Sequence, residues 1–185
     1  MNASEFALRV FEAISGGRPD AGSPVLRSAI ELGLNDILSE LAAHVYGSPQ
    51  RASLEKLYSP TLTSGAVDLT AGTFSDLYWG SLSTAKVAYD PSGANIPVEF
   101  YANPKDIELP GVQGFYRGSL IANTYVIRDE TGNAPANATL AMRMSSIPTL
   151  ATLASTAPHL HNDAVQVGAA FALRWIKGNA QAEVT

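Results

Sequence analysis

Apolar positions in the first 59 residues recur at spacings of three and four, the period of an amphipathic α-helix. Residues 2–17 open with a capping pair, Asn2 and Glu5, and close on a double glycine, so they predict one helix. A serine–proline pair starts a second helix at residue 24, which the apolar spacing extends to about residue 46. The same pair recurs at residue 49 and predicts a short third helix.

Beyond Pro60 the pattern changes to short runs of β-branched and aromatic residues that alternate in part with period two. Clusters of glycine, proline and asparagine separate these runs and indicate turns. We predict five or six strands, mostly antiparallel. The helical period resumes at Pro158 and is expected to end at Gly178.

This order of elements predicts an α+β protein. Neither the N-terminal helical part, residues 1–59, nor the C-terminal helix and tail, residues 155–185, can cover its apolar surface alone. We therefore expect the C-terminal helix to pack back on the N-terminal helices as one helical bundle. The β-rich stretch, residues 60–154, is then an antiparallel insertion in that bundle.

The C-terminal helix is apolar on nearly every side. Ten residues without a charge separate Asp163 from Arg174, and Gln166 is the only clearly polar one among them. All-round apolarity in a short helix indicates burial on several sides, by its own chain, by other subunits or by both. Helical spacing directs Phe171 and Trp175 into the bundle. The neighbouring face, a candidate for contact with another protein, consists of Val165, Ala169, Leu173 and Ile176.

Composition narrows the classes of function. The 185 residues are 46% hydrophobic and 16% charged, which indicates a globular chain of one domain, with or without a large insertion. Twelve basic and 17 acidic residues give a net charge of −5 with no basic cluster, which argues against gripping nucleic acid through its phosphates. The absence of cysteine excludes disulfides and thiolate metal sites. Charges interrupt the N-terminal helix, so we expect no signal peptide, and no apolar run reaches the roughly 20 residues that span a bilayer.

Catalytic signatures are missing from the sequence. His159 and His161 are two positions apart, on different faces of a helix, and only Asp163 lies near them, whereas zinc sites use three or four converging ligands. There is no G-x-S-x-G elbow and no phosphate-binding glycine loop. We therefore predict no catalytic residue, no metal site and no cofactor.

Two aromatic pairs remain. Phe115 and Tyr116 lie in a glycine-rich stretch, which is either a mobile loop between strands or a contact loop, and we favour the contact loop. Tyr78 and Trp79 favour core packing over a platform that stacks a ligand.

The layout of the whole chain resembles the head-to-tail adaptor proteins of tailed bacteriophages. A short N-terminal helix precedes a second helix that carries Asn35 among apolar positions, and a sheet-rich middle opens with VDLTAGT at residues 67–73. Residues 123–135 look like the first strand of a last hairpin with residues 138–150. A proline and a polar step then lead into the long apolar helix at residues 161–183.

The resemblance implies a structural protein of the virion neck, assembled in the host cytoplasm. It implies a homo-oligomeric ring, commonly of twelve copies, that binds the portal on one side and a tail or nozzle protein on the other. DNA would pass through the lumen without sequence-specific binding, and no membrane is involved. The face described above would contact a subunit or the portal, and the C-terminal segment would reach the portal through Asn179, Gln181, Glu183 and Thr185.

Two other interpretations stay open. One is a different neck, tail-completion or capsid component of a phage. The other is an enzyme or small-ligand binder from an uncharacterised family, which would need a pocket with converging ionisable groups.

Overall fold

The computed structural model describes residues 1–16, 24–111, 114–155 and 158–182. The chain forms two units. Met1–Ser48 and Ile147–Thr185 make the helical unit, and Pro49–Ser146 make the sheet unit.

Five helices form the described part of the helical unit: α1 (Ala3–Ser15), α2 (Pro24–Leu32), α3 (Leu34–Tyr46), α4 (Leu150–Ser155) and α5 (Pro158–Ala182). The capping box at Asn2 and Glu5 starts α1, and Gly16 ends it in the left-handed conformation with φ of 66°. The single helix expected from residue 24 is divided in two at Gly33. The ring of Phe171 occupies the space in which a side chain on Gly33 would begin, so packing against α5 coincides with the break.

Helix α5 lies against α1, α2 and α3. Leu160, Ala164, Gly168 and Ala172 follow one line on its inward face and are buried, and the last three of them are small. A Cβ atom on Gly168 would lie 2.7 Å from Val10 Cγ2. The small residues therefore allow a close approach between α1 and α5 at Gly168.

This close approach gives a test of the packing. Gly168→Ala is expected to lower the free energy of unfolding by about 1–2 kcal/mol, because overpacking against the stiff Val10 outweighs the roughly 1 kcal/mol gain in helix propensity. Gly178→Ala is the matched control on the same helix, since nothing lies within 4 Å of a Cβ there, and it should be neutral or slightly stabilising. Urea denaturation measures both, and equal effects would contradict the packing.

Helix α5 also continues past the end that the sequence indicates, to Ala182 rather than Gly178. An interior glycine costs a helix only about 1 kcal/mol relative to alanine. The alanines that follow Gly178 are strong helix formers, so the glycine does not end the helix.

The sheet unit contains eight strands among its described residues: β1 (Glu55–Tyr58), β2 (Thr61–Leu62), β3 (Ala66–Asp68), β4 (Lys86–Asp90), β5 (Ile96–Phe100), β6 (Tyr116–Ile121), β7 (Thr124–Arg128) and β8 (Ala138–Ser145). Their order across the sheet is β1-β8-β4-β5-β6-β7-β3, and β2 also pairs with β8. Every pairing is antiparallel except that of β5 with β6, which is parallel. The described residues of this unit also contain four 3₁₀ turns, one before β1 and three between strands: Pro49–Leu54, Gly72–Phe74, Trp79–Thr84 and Pro104–Ile107.

One face of this sheet encloses a core of its own. Alternate residues of β4 and β8, such as Val87 and Met142, face each other across the strands and are buried. The loop residues Phe74, Leu77 and Leu82 are buried in the same cluster. The sheet unit therefore has a hydrophobic core that consists of its own residues.

The predicted architecture, a helical bundle with an antiparallel β-rich insertion, is wrong. The protein is α+β, but a curled, mixed sheet with its own core replaces the insertion. The expected last hairpin also does not form, because β7 pairs with β6 and β3, while β8 pairs with β1, β2 and β4. Residues 55–58 were expected in a short helix, but they form β1. This strand pairs with β8, from Glu55 opposite Ser145 to Tyr58 opposite Met142.

Candidate functional site

The α5 stripe, Val165, Ala169, Leu173 and Ile176, follows one line along α5 beside its buried face. Val165 and Ala169 are partly buried. Leu173 and Ile176 keep 47% and 40% of their surface exposed. The stripe is thus most open in its C-terminal half, where two large aliphatic side chains face solvent in an isolated copy.

The C-terminal half of α5 also carries an ion pair at the surface. Arg174 donates a hydrogen bond to a carboxylate oxygen of Glu40 on α3, 2.5 Å away. Of the expected portal contacts, Asn179 and Gln181 belong to α5, but their side chains lie outside the described residues, as do Glu183 and Thr185 altogether. The expectation that these four residues reach a portal stays a prediction.

An open cavity of about 810 Å³ lies within the helical unit, between α1, α4 and α5. Arg9 Nη1 lies 3.1 Å from His161 Nε2. Partial burial, followed by the charge of Arg9, lowers the pKa of His161, so the neutral imidazole accepts a hydrogen bond from the guanidinium. Carboxylates line the cavity at Glu5 and Glu12, but its described lining contains no hydroxyl or amine side chain that could act as a nucleophile.

The described residues contain no group of three histidine, cysteine, aspartate or glutamate side chains that could hold a metal ion. The pairing of Arg9 with His161 has no signal in the sequence, because the two residues lie far apart in the chain. Helical spacing places each residue on its own helix and does not show which faces meet.

The predicted contact loop divides into two parts. Tyr116 begins β6, and its ring centroid is 4.6 Å from that of Tyr89, so it packs against the core of the sheet unit. Phe115 is exposed. Of the other aromatic pair, Tyr78 packs over Gly80 and Trp79 is exposed. Phe115 alone therefore stays a contact candidate in its loop.

A buried arginine organises the loops at one end of the sheet unit. Arg117 on β6 is 4% exposed and donates to the main-chain oxygens of Asp106 and Asp129, at 3.1 Å each. Partial burial raises the pKa of the Asp129 carboxyl. Hydrogen bonds that the carboxylate accepts from Thr131 and Asn133, together with the nearby charge of Arg117, outweigh this effect, so the pKa of Asp129 is lowered. Arg117 thus fixes both the turn at Pro104–Ile107 and the turn after β7.

The acidic loop, which we define as residues 104–109, presents an exposed leucine. Ile107 is buried, whereas Glu108 is exposed and Leu109 keeps 61% of its surface exposed. An aliphatic side chain that is this open, on a loop with fixed main-chain contacts, is a candidate for contact with another protein.

The sheet groove, which we define as Leu57, Lys86, Ala88, Pro97, Ala141 and Arg143, lies on the outer face of β1, β8, β4 and β5. These residues are among those that line an open depression of about 570 Å³. Ala88 stands opposite both Ala141 and Pro97, and Arg143 stands opposite both Leu57 and Lys86. The groove therefore has a floor of small residues and two cations beside it.

Among the described residues, no helix is both long enough and apolar enough to cross a lipid bilayer. Comparison of the sequence with models of protein families and with curated proteins gives no match.

Proposed function

We propose that the protein is a structural component of a phage virion, a head-to-tail adaptor that forms a ring between the portal and the tail or nozzle. The open half of the α5 stripe is the observation that carries this proposal. It joins two large aliphatic side chains, Leu173 and Ile176, at 47% and 40% exposure, on a helix whose other face is packed within its own unit.

A ring explains why such a stripe stays open in one copy. Removing apolar surface from water yields about 25 cal/mol per Å², so a neighbour that covers the stripe stabilises the assembly. In a ring, each copy gives one surface to the next copy and receives another, so each subunit covers surface that its neighbour exposes.

The charge of the chain suits a channel through which DNA passes. Affinity for DNA comes largely from cations that neutralise phosphates and release counterions. This chain carries 12 basic against 17 acidic residues and a net charge of −5. A ring of such subunits would let DNA pass through the lumen without retaining it, while residues 179–185 would contact the portal.

Aspartate substitutions in the open half of the stripe test the proposal. Leu173→Asp and Ile176→Asp should each keep the helical signal and the melting temperature but hinder assembly, because the contact would bury an unpaired charge. Leu32→Asp is the matched control, since Leu32 is 87% exposed on α2 and lies outside the stripe. Native mass spectrometry and co-sedimentation with portal rings from the same genome are the measurements.

We expect wild type and Leu32→Asp to assemble alone or on portal rings, and the stripe variants to bind at least about tenfold more weakly, a loss of roughly 1.4 kcal/mol or more. A wild-type chain that stays monomeric and fails to sediment with portal rings would refute the adaptor proposal. Stripe variants that assemble like wild type would refute the role of the stripe.

A further inference from the structure

The acidic loop holds Leu109 outward on an ordered backbone. Ile107, two positions earlier, is buried, and Arg117 binds the main-chain oxygen of Asp106. A Cβ atom on Gly132 would lie 2.5 Å from the main-chain oxygen of Glu108, so the turn after β7 packs directly against the loop. Because this backbone is already fixed, docking Leu109 against another surface would require little further ordering.

The sheet groove has the shape and charge that would receive this loop. Its floor, Ala88 and Ala141, leaves room for a branched aliphatic side chain, and Leu57 adds an apolar wall that is 49% exposed. Among the described residues, Lys86 has no ion pair, and Arg143 has only Glu55 at 3.7 Å. Two cations thus stand beside an apolar depression and can pair with carboxylates such as Glu108.

The sheet groove and the acidic loop belong to the same unit, but they do not contact each other within one copy. The groove lies on β1, β8, β4 and β5, whereas the turn at Pro104–Ile107 contacts β6. Leu109 is exposed, so its own groove does not cover it. Two different complementary surfaces on one molecule make a head-to-tail contact, the kind that closes into a ring when the rotation allows it.

We propose that the sheet groove of each copy binds Glu108 and Leu109 of the neighbouring copy, with Leu109 over Ala88 and Ala141 and Glu108 beside Lys86 and Arg143. This contact rests on the proposed ring and assigns it a second subunit interface, formed by the sheet units. Opposite charges across the contact favour this pairing and disfavour loop against loop or groove against groove.

Cysteine trapping tests the contact, because the chain has no cysteine of its own. Leu109→Cys is mixed with Ala141→Cys, or with Ala88→Cys, under mild oxidation, with the protein alone and on portal rings. A disulfide needs Cα atoms within about 7 Å, so only a docked pair reacts readily. Ile121→Cys, an exposed position on β6 outside both surfaces, replaces Leu109→Cys in the matched control.

We expect at least about tenfold more mixed dimer with Leu109→Cys than with Ile121→Cys, because docking raises the effective concentration of the thiols. Adding Glu108→Lys to the Leu109→Cys chain should reduce the mixed dimer to the control level, because three cations would then meet. Adding Lys86→Glu and Arg143→Glu to the groove cysteine variant should restore the dimer with that chain, because the charges are again opposite. Dimer at the control level, alone and on portal rings, would overturn the proposed contact. Rings that still form through the α5 stripe would then leave the adaptor function standing.

Discussion

A chain that ends at residue 157 is expected to lose the helical structure of residues 1–48 and to keep the sheet unit folded. Helix α5 contacts α1, α2 and α3, and the truncation would expose residues such as Phe6, Val10 and Ile30, which are fully buried. Helices α1 and α3 have 13 residues each, and isolated helices shorter than about 12–15 residues are marginal in water.

Circular dichroism of this truncated chain should show the loss of the helical signal, while amide hydrogen exchange should keep the protection of β4 and β8. A chain that ends at residue 178 is the matched control and should keep its helices, since it retains the whole face that packs on α1. A fragment of residues 49–146 should fold by itself, because β1 and β8 close its two ends by pairing with each other. A cooperatively folded helical part in the chain 1–157 would contradict the expectation.

The sequence predicts the helices well where their signals are local. The capping box of α1 and the apolar spacing of α2 and α3 involve residues within a few positions of one another. The break at Gly33 coincides instead with packing against Phe171, which comes from the other end of the chain. No window of neighbouring residues contains that information.

The lack of information about distant contacts affects the prediction of the strands more than that of the helices. Period-two alternation tells which side chains are buried, but it does not tell which strand lies beside which. Residues 49–58 contain leucine, glutamate, lysine and arginine, which favour helices, and only pairing with β8 makes a strand of residues 55–58. The predicted antiparallel insertion was wrong for this reason, since β5 and β6 pair in parallel and a hairpin turn cannot join parallel strands.

The candidate surfaces also differ in whether the sequence reveals them. The α5 stripe could be derived from helical spacing, because its four members lie on one helix, and its role in binding remains a prediction. The sheet groove could not, because its cations Lys86 and Arg143 come from strands that are far apart in sequence. Arg117 had no signal as a buried residue, since arginine is rarely buried and its partners are main-chain oxygens.

Gly118 and Tyr125 provide the second test with a large expected effect. The phenol of Tyr125 on β7 packs directly over Gly118 on β6, so that its hydroxyl oxygen occupies the space in which a side chain on Gly118 would begin. That hydroxyl is buried and has no hydrogen-bond partner among the described residues. Burial raises the pKa of Tyr125 above its ordinary value.

Gly118→Ala should therefore lower the free energy of unfolding by about 2–3 kcal/mol, near the upper end for overpacking. Tyr125→Phe should be neutral or stabilising by about 1 kcal/mol, because it removes an unpaired buried hydroxyl. In the double variant, the alanine should be less damaging, because the hydroxyl oxygen, the atom nearest to the added Cβ, is gone, and the ring carbon Cζ, at 2.6 Å, is the closest atom that remains. Gly72→Ala is the control, with nothing within 4 Å of its Cβ, and should change stability by less than about 0.5 kcal/mol.

The raised pKa adds a test by pH. Above about pH 10 the unfolded chain loses the phenolic proton that folded Tyr125 keeps, so the free energy of unfolding should fall with rising pH, by up to about 1.4 kcal/mol per pH unit. Tyr125→Phe should remove this part of the alkaline loss, while the part due to Tyr58, whose pKa burial and Asp76 also raise, should remain. Urea denaturation between about pH 8 and 11 measures both. An alkaline slope that is unchanged in Tyr125→Phe, together with additive effects of Gly118→Ala and Tyr125→Phe, would refute the packing of this phenol over Gly118.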